Sequence, residues 1–242
     1  MAAPAERGAP GYGNRLLTLL SPADLKRIAP HMRRVQTNVR DSLWEPNQPI
    51  DTVYFPLTSV NSIIAIDEQG GEVEVGTIGN EGLVGLPVFL GATAAPGRAF
   101  TQIAGESERM STTEFLHAVQ TMPSLRDVLQ LYTQGFVSLV SQSVACNRLH
   151  SPDQRLARWL LSCADRVGGD QFAMTQEFMG QMLGVRRATV NEAAQALQER
   201  QLLQYSRGIL RITDHEGLVA AACPCYRIVR DEFDKLLGMP AG

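Results

Sequence analysis

After Pro123 the residues Leu125, Leu129, Tyr132, Phe136, Leu139, Ser143 and Cys146 step by fours and threes, the spacing that keeps one stripe of a helix turned toward a partner. About 25 residues at ~1.5 Å each make a rod of roughly 40 Å, longer than a compact lobe ordinarily needs. The remaining residues must therefore form lobes around one long helix, and 242 residues suffice for two separate cores. The stripe is read as a dimer spine. Packing inside one lobe is the alternative, because Gly135, Ser143 and a polar flank interrupt the seam.

Ahead of the rod the period changes to two. Val53-Tyr54-Phe55, Val60–Ile66, Glu72–Ile78 and residues 99–104 are β-branched or alternating, with glycine and proline between them. Asp67-Glu68-Gln69-Gly70-Gly71 is read as a hairpin connection. Many short strands with such turns predict a β-sandwich or jelly roll. Ser21-Pro22-Ala23-Asp24 opens a short helix, and Ser111-Thr112-Thr113-Glu114 has the pattern of a capping box. The expected order is a disordered tail at 1–14, a β jelly roll at 15–122, a dimerisation helix at 123–150 and a winged-helix domain at 151–242, an α+β chain.

The segment beyond the rod carries the strongest functional signal. Ser151-Pro152 starts a helix with Leu156, Leu160, Cys163 and Val167 on its buried stripe, ended by Gly168-Gly169-Asp170. Thr175 is then a good N-cap, Met179 and Leu183 give an apolar face, Gly180 permits a close helix crossing, and Gly184 permits a sharp turn. The next helix begins Arg186-Arg187-Ala188-Thr189 and continues through Asn191 and Glu192, while Val190, Ala194 and Leu197 face inward. Polar first turns and an apolar back suit a recognition helix in the major groove. The planar fork of Arg187 matches guanine O6 and N7; Gln176 and Thr189 suit phosphate oxygens, Arg186 either task, and Thr175 at the start of the pair belongs to the same DNA-binding set. Residues 202–206 and 209–212 form two short strands around Arg207-Gly208, a wing whose arginine lies along the DNA backbone.

Charge sharpens this reading. The net charge of −3 argues against coating nucleic acid by bulk electrostatics. Residues 151–211 nevertheless hold eight arginines against six acids, so positive charge gathers at the proposed reading element. An exposed arginine-rich helix without a nucleic-acid role is the plainer alternative.

A β-rich front, a long helix and a C-terminal winged helix together resemble the Crp/Fnr family of bacterial regulators. Leu156-Ala157-Arg158-Trp159-Leu160-Leu161, the run from Thr175 to Arg187 and Gly208-Ile209-Leu210-Arg211-Ile212 carry the likeness. The resemblance implies a cyclic-nucleotide-binding-like front domain, a homodimer, double-stranded DNA with a near-palindromic site, and RNA polymerase as a further partner. Arg187 matches the family's guanine-reading arginine; Ala188 stands where a base-reading glutamate is common, and Glu192 where a second arginine often is. In the sensor, Leu86 of Gly85-Leu86 replaces the carboxylate that holds a ribose hydroxyl, and Arg98-Ala99 lacks the hydroxyl that helps hold a cyclic phosphate. Unpaired ribose hydroxyls would cost about 1–3 kcal/mol each on burial, so control by ordinary cyclic AMP is not expected. The effector is left open.

The remaining candidates are weaker. Cys223-Pro224-Cys225 with nearby His215 invites a metal reading, but structural zinc wants four ligands and wider cysteine spacing, so buried thiols and no metal or cofactor are expected. Gly76-Thr77-Ile78-Gly79-Asn80-Glu81-Gly82 lacks a following Lys-Ser or Lys-Thr and is read as a β-turn. No catalytic constellation is evident, so an enzyme is not expected. No apolar run approaches the roughly 18 residues of a membrane span, and the scattered cysteines suit a reducing cytoplasm. The alternative function is a small-molecule-binding module whose winged helix makes protein contacts.

Overall fold

The computed structural model describes residues 13–238. Most of the tail expected at 1–14 lies outside the described residues, but Asn14 corrects that boundary. It is buried, its side-chain oxygen accepts the N–H groups of Leu16 and Leu17 to cap α1 (Arg15–Thr18), and its amide donates to the carbonyls of Pro56 and Gly82. One side chain thus fastens the start of the described chain to a strand end at Pro56 and to the turn at Gly82. In α2 (Pro22–Ile28), Ser21 accepts the Asp24 N–H and Pro22 occupies the first turn, as expected.

The front strands are β1 (Arg33–Thr37), β2 (Ser42–Trp44), β3 (Thr52–Pro56), β4 (Val60–Ile66) and β5 (Glu72–Ile78), then, after the short helix α3 (Leu86–Phe89), β6 (Arg98–Ile103) and β7 (Gly105–Ser111). They form two antiparallel sheets, ordered β1-β7-β3 and β2-β6-β4-β5. The expected hairpin joins β4 to β5, with Ile66 opposite Glu72. Three strands escape the sequence reading. β1 exposes Arg33, Arg34 and Gln36, and β7 buries Ser107 and Glu108, so neither alternates apolar with polar. β2 is only a three-residue strand.

The capping box holds: the Ser111 hydroxyl accepts the Glu114 N–H and the Glu114 carboxylate accepts the Ser111 N–H, starting α4 (Thr112–Thr121). Helix α5 (Pro123–Leu149) is the expected rod, but its stripe faces its own chain. Leu125, Leu129, Tyr132, Leu139 and Cys146 are all buried within this single chain, and the buried Gly135 meets a C-terminal helix. A side chain on Gly135 would start 2.8 Å from the Phe233 ring, so the residue that weakened the expected seam is a crossing point.

The back of the chain comprises α6 (Pro152–Val167), β8 (Gln171–Ala173), α7 (Gln176–Leu183), α8 (Arg187–Glu199), β9 (Leu203–Ser206), β10 (Ile209–Ile212), α9 (His215–Ala221) and α10 (Cys225–Leu236). The wing has the order β8-β10-β9, one strand more than expected. Two large apolar cores result. The front core gathers Leu16, Phe55, Phe115 and Leu129 with Phe233 and Leu237, brought back at the end of the chain. The other joins Leu156, Leu160, Met179 and Leu197 to Val60, Ile64, Phe100 and Ile103 of the front sheet. At about 1.5–3 kcal/mol for each large apolar side chain fully buried, this shared core ties the winged helix to the sheet. No described helix is long and apolar enough to cross a membrane.

Candidate nucleic-acid interface

The α7–α8 corner is built by local chemistry. The Thr175 hydroxyl accepts the Phe178 N–H at 3.2 Å and starts α7. Gly184 closes that helix at φ +62°, a left-handed conformation that side chains disfavour. A Cβ on Gly180 would lie 2.9 Å from the Val185 carbonyl, so glycine allows the two helices to approach. Val190, Ala193, Ala194 and Leu197 bury the back of α8, which rests on α6, α7 and β9.

Its front is open. Arg186, Arg187, Ala188, Asn191 and Glu192 are exposed and Thr189 half-buried. Arg186 is the N-cap residue, no side chain caps the helix, and its first turn holds no acid. Free backbone N–H groups, the positive end of the helix dipole and two guanidinium groups therefore coincide. Gln176 Nε2 donates to Asn191 Oδ1 at 2.9 Å, linking the first residue of α7 to α8. The expected residues Thr175, Gln176, Arg186, Arg187, Ala188, Thr189 and Asn191 thus share one corner. Arg207 stands apart on the wing, exposed in a two-residue turn in which Arg207 and Gly208 both have positive φ. The Met174 N–H donates to the Gly208 carbonyl at 2.8 Å and holds that turn beside the approach to α7.

Behind the corner, the sheet β2-β6-β4-β5 works on both faces, as alternation along a strand allows. Glu72, Glu74, Phe100 and Gln102 lie on the face that meets α6 and α7. Trp159 Nε1 donates to Glu74 at 2.9 Å, Gln102 Nε2 to the Cys163 sulfur at 3.1 Å, and Gln181 to Glu72. The Phe178 ring meets Phe100 edge-on at 5.9 Å. At the adjoining turn, Glu81 and Arg166 form a buried ion pair at 2.8 Å, and Arg166 also donates to the Thr77 carbonyl. Burial works against the Arg166 charge, and the Glu81 carboxylate beside it more than offsets that cost and keeps the guanidinium charged.

The opposite face, with Ile63, Ala65, Val75 and Gly97, lines a cavity of about 670 Å³ closed partly by Phe136 and Val140 of α5. Among the described residues, no charged side chain lines it. Of the sensor positions Gly85, Leu86, Arg98 and Ala99, Leu86 alone reaches it. Arg98 lies on the other face, where it donates to Glu72 at 2.8 Å and covers the Phe100 ring at 5.0 Å. Ala99 is buried in the front core, and Gly85 precedes α3 at φ +140°, against Val53. Strand parity, invisible without the register, separates Arg98 from the cavity. The glycine-rich 76–82 stretch is, as expected, the end of a strand and a turn, closed by Gly82 N–H to Gly79 carbonyl at 3.0 Å.

His215, considered as a partner for Cys223 and Cys225, instead lies 3.5 Å from Asp170 and is largely exposed. Cys223 and Cys225 meet Cys146 and His150. Sequence reasoning missed this because those groups come from the far end of α5.

Residues 154–221 match the family described as the Crp-like helix-turn-helix domain. Among solved structures, the c-di-GMP-responsive global regulator CLP of Xanthomonas campestris is similar at 16% identity and TM-score 0.64, over 79% of this chain and 99% of that one. FixK2 from Bradyrhizobium japonicum is similar at 16% identity and TM-score 0.67, over 79% and 98%. A CRP/FNR-family transcriptional regulator from Thermus thermophilus is similar at 18% identity and TM-score 0.63, over 78% and 98%. No curated protein matches the chain. The chain thus carries a Crp-like helix-turn-helix domain at residues 154–221 within the fold of the Crp/Fnr regulators.

Proposed function

We propose that the protein is a homodimeric, sequence-specific regulator of transcription that inserts the first turns of α8 into the major groove. The observation that carries this reading is the uncapped, acid-free start of α8, with Arg186, Arg187 and Asn191 exposed and the helix back fully packed. In this reading Arg187 reads a guanine, Ala188 and Asn191 lie against neighbouring base edges, and Thr175, Gln176, Thr189 and Arg186 fix register on phosphates. Arg207 on the wing follows the backbone.

The dimer seam is displaced by one residue from the stripe first expected. Thr133, Val137, Val140 and Val144 recur at fours and threes along α5, and Val137 and Val144 are 52% and 68% exposed in the single chain. Thr133, Val137 and Val140 also line the cavity, so a second copy seated there would cover its mouth. A cavity without a cationic side chain offers no partner for a phosphate. It suits an uncharged apolar ligand, in place of cyclic AMP or c-di-GMP.

The test is a binding curve on genomic fragments at several salt concentrations. A steep salt dependence with a sequence-specific component is expected, and Arg187→Ala should weaken specific binding roughly ten- to a hundredfold. Weak binding indifferent to sequence and to Arg187→Ala would overturn the proposal in favour of a winged helix that contacts protein. For the seam, Val137→Arg with Val144→Arg should halve the sedimenting mass.

A further inference from the structure

Where the long helix ends, three thiols and an imidazole from the end of α5 and from the α9–α10 corner converge. Cys146 lies in the last turns of α5, and His150, four residues on, is its C-cap, so both belong to one end of the helix. Cys223 precedes α10 and Cys225 is its first residue. The three thiols are free and buried, the imidazole half-buried, and the four ligand atoms lie within 4.8 Å of one another. Cys146 Sγ is 3.4 Å from Cys223 Sγ, and Cys225 Sγ is 3.5 Å from His150 Nδ1. Ligands on a tetrahedral zinc, at bonds of roughly 2.0–2.3 Å, stand about 3.5–3.8 Å apart. These two separations need adjustments of only tenths of an ångström.

We propose that Cys146, His150, Cys223 and Cys225 form a structural Cys3His site for a zinc-class divalent ion. Three thiolates and one imidazole supply all four positions of a closed tetrahedral site, which leaves no position for substrate and makes the role structural. Three thiolates around a dication leave one negative charge. Arg155 and Arg158 lie where their charge acts on Cys146, and the Nε atom of each is buried without a hydrogen-bond partner among the described residues. Gln142 Nε2 donates to Cys225 Sγ at 3.0 Å and supplies the outer contact that orients a thiolate ligand. The spacing Cys-x-Cys is tighter than in common zinc modules, and the Cys-x3-His pair on the distant helix completes the set.

The ion would join the end of α5 to the α9–α10 corner, at the bend where Ser151 and Pro152 start α6. It would thereby fix the direction in which the DNA-reading half leaves the rod. The site concerns the metal alone and stands or falls independently of DNA binding.

The experiment uses the full chain, purified under reducing conditions without chelator and desalted. Elemental analysis is expected to find about one zinc per chain. After exchange, cobalt(II) should show thiolate charge-transfer bands and the intense visible bands of a tetrahedral ion. Cys223→Ser and His150→Ala should each abolish stoichiometric retention, Gln142→Ala should weaken affinity roughly ten- to a hundredfold, and His215→Ala should change neither. Should the Cys223 variant fail to fold, the half-buried His150 and the Gln142 variant carry the test, with circular dichroism as the folding check. Metal-free native protein that binds cobalt no better than His150→Ala overturns the proposal, as does a Cys146–Cys223 disulfide found in place of metal.

Discussion

The α7–α8 corner and the front cavity differ in how far apart their residues lie along the chain. At the corner, cap, turn glycine and exposed arginines fall between Thr175 and Asn191, each placed by a local rule. The cavity is assembled from β2, β4, β5, the α3 region, the approach to β6 and α5, from Trp44 to Ser141, and no stretch of it announces a site. The corner concentrates positive charge at the surface; the cavity excludes charge altogether. Residues placed by local rules remain recognisable one by one, whereas an uncharged cavity is defined by shape and by what is missing.

The contrast can be broken by introducing charge into the chamber. Ile78→Asp, at a 2% exposed lining position, should cost about 5 kcal/mol by burying an unpaired carboxylate, seen as a large fall in denaturation midpoint. An unchanged midpoint would mean that water already fills the space. Arg166→Met strands the buried Glu81 carboxylate and should destabilise by about 3 kcal/mol, measured by urea unfolding; a neutral result would show that the link between turn and α6 is dispensable. At the corner, Gly184→Ala must hold a positive φ and should cost about 1 kcal/mol while leaving apolar-dye binding in the chamber unchanged. Smallest of all, Arg207→Ala should leave stability alone and reduce the salt slope of DNA binding by about one. A slope that did not move would take the wing off the phosphate backbone.

Legibility in the sequence follows the same division. The caps at Ser21, Ser111, Ser151 and Thr175, the turn at Gly184 and the rod after Pro123 are all readable, because each depends on neighbours within a turn or two. The facing of the rod is not. A helix with one stripe through Tyr132 and another through Val137 offers two seams side by side, and only the return of Phe233 onto Gly135 shows which is claimed by the same chain. Arg98 falls on the unexpected face of its strand, which only the register reveals, and β1 and β7 stay hidden because polar groups interrupt their alternation. The cysteine cluster is half legible: Cys223 and Cys225 stand out, but the histidine that meets them is His150, delivered across the fold by the end of α5.

The sheet β2-β6-β4-β5 has α6 and α7 against one side and the hollow against the other. It is therefore a diaphragm: one pleated layer separates whatever fills the hollow from the elements that aim α8. A guest large enough to bow that layer would tilt α6 and α7, and α8 with them, directly, and the tilt would need no hinge, only the stiffness of the thin wall between them.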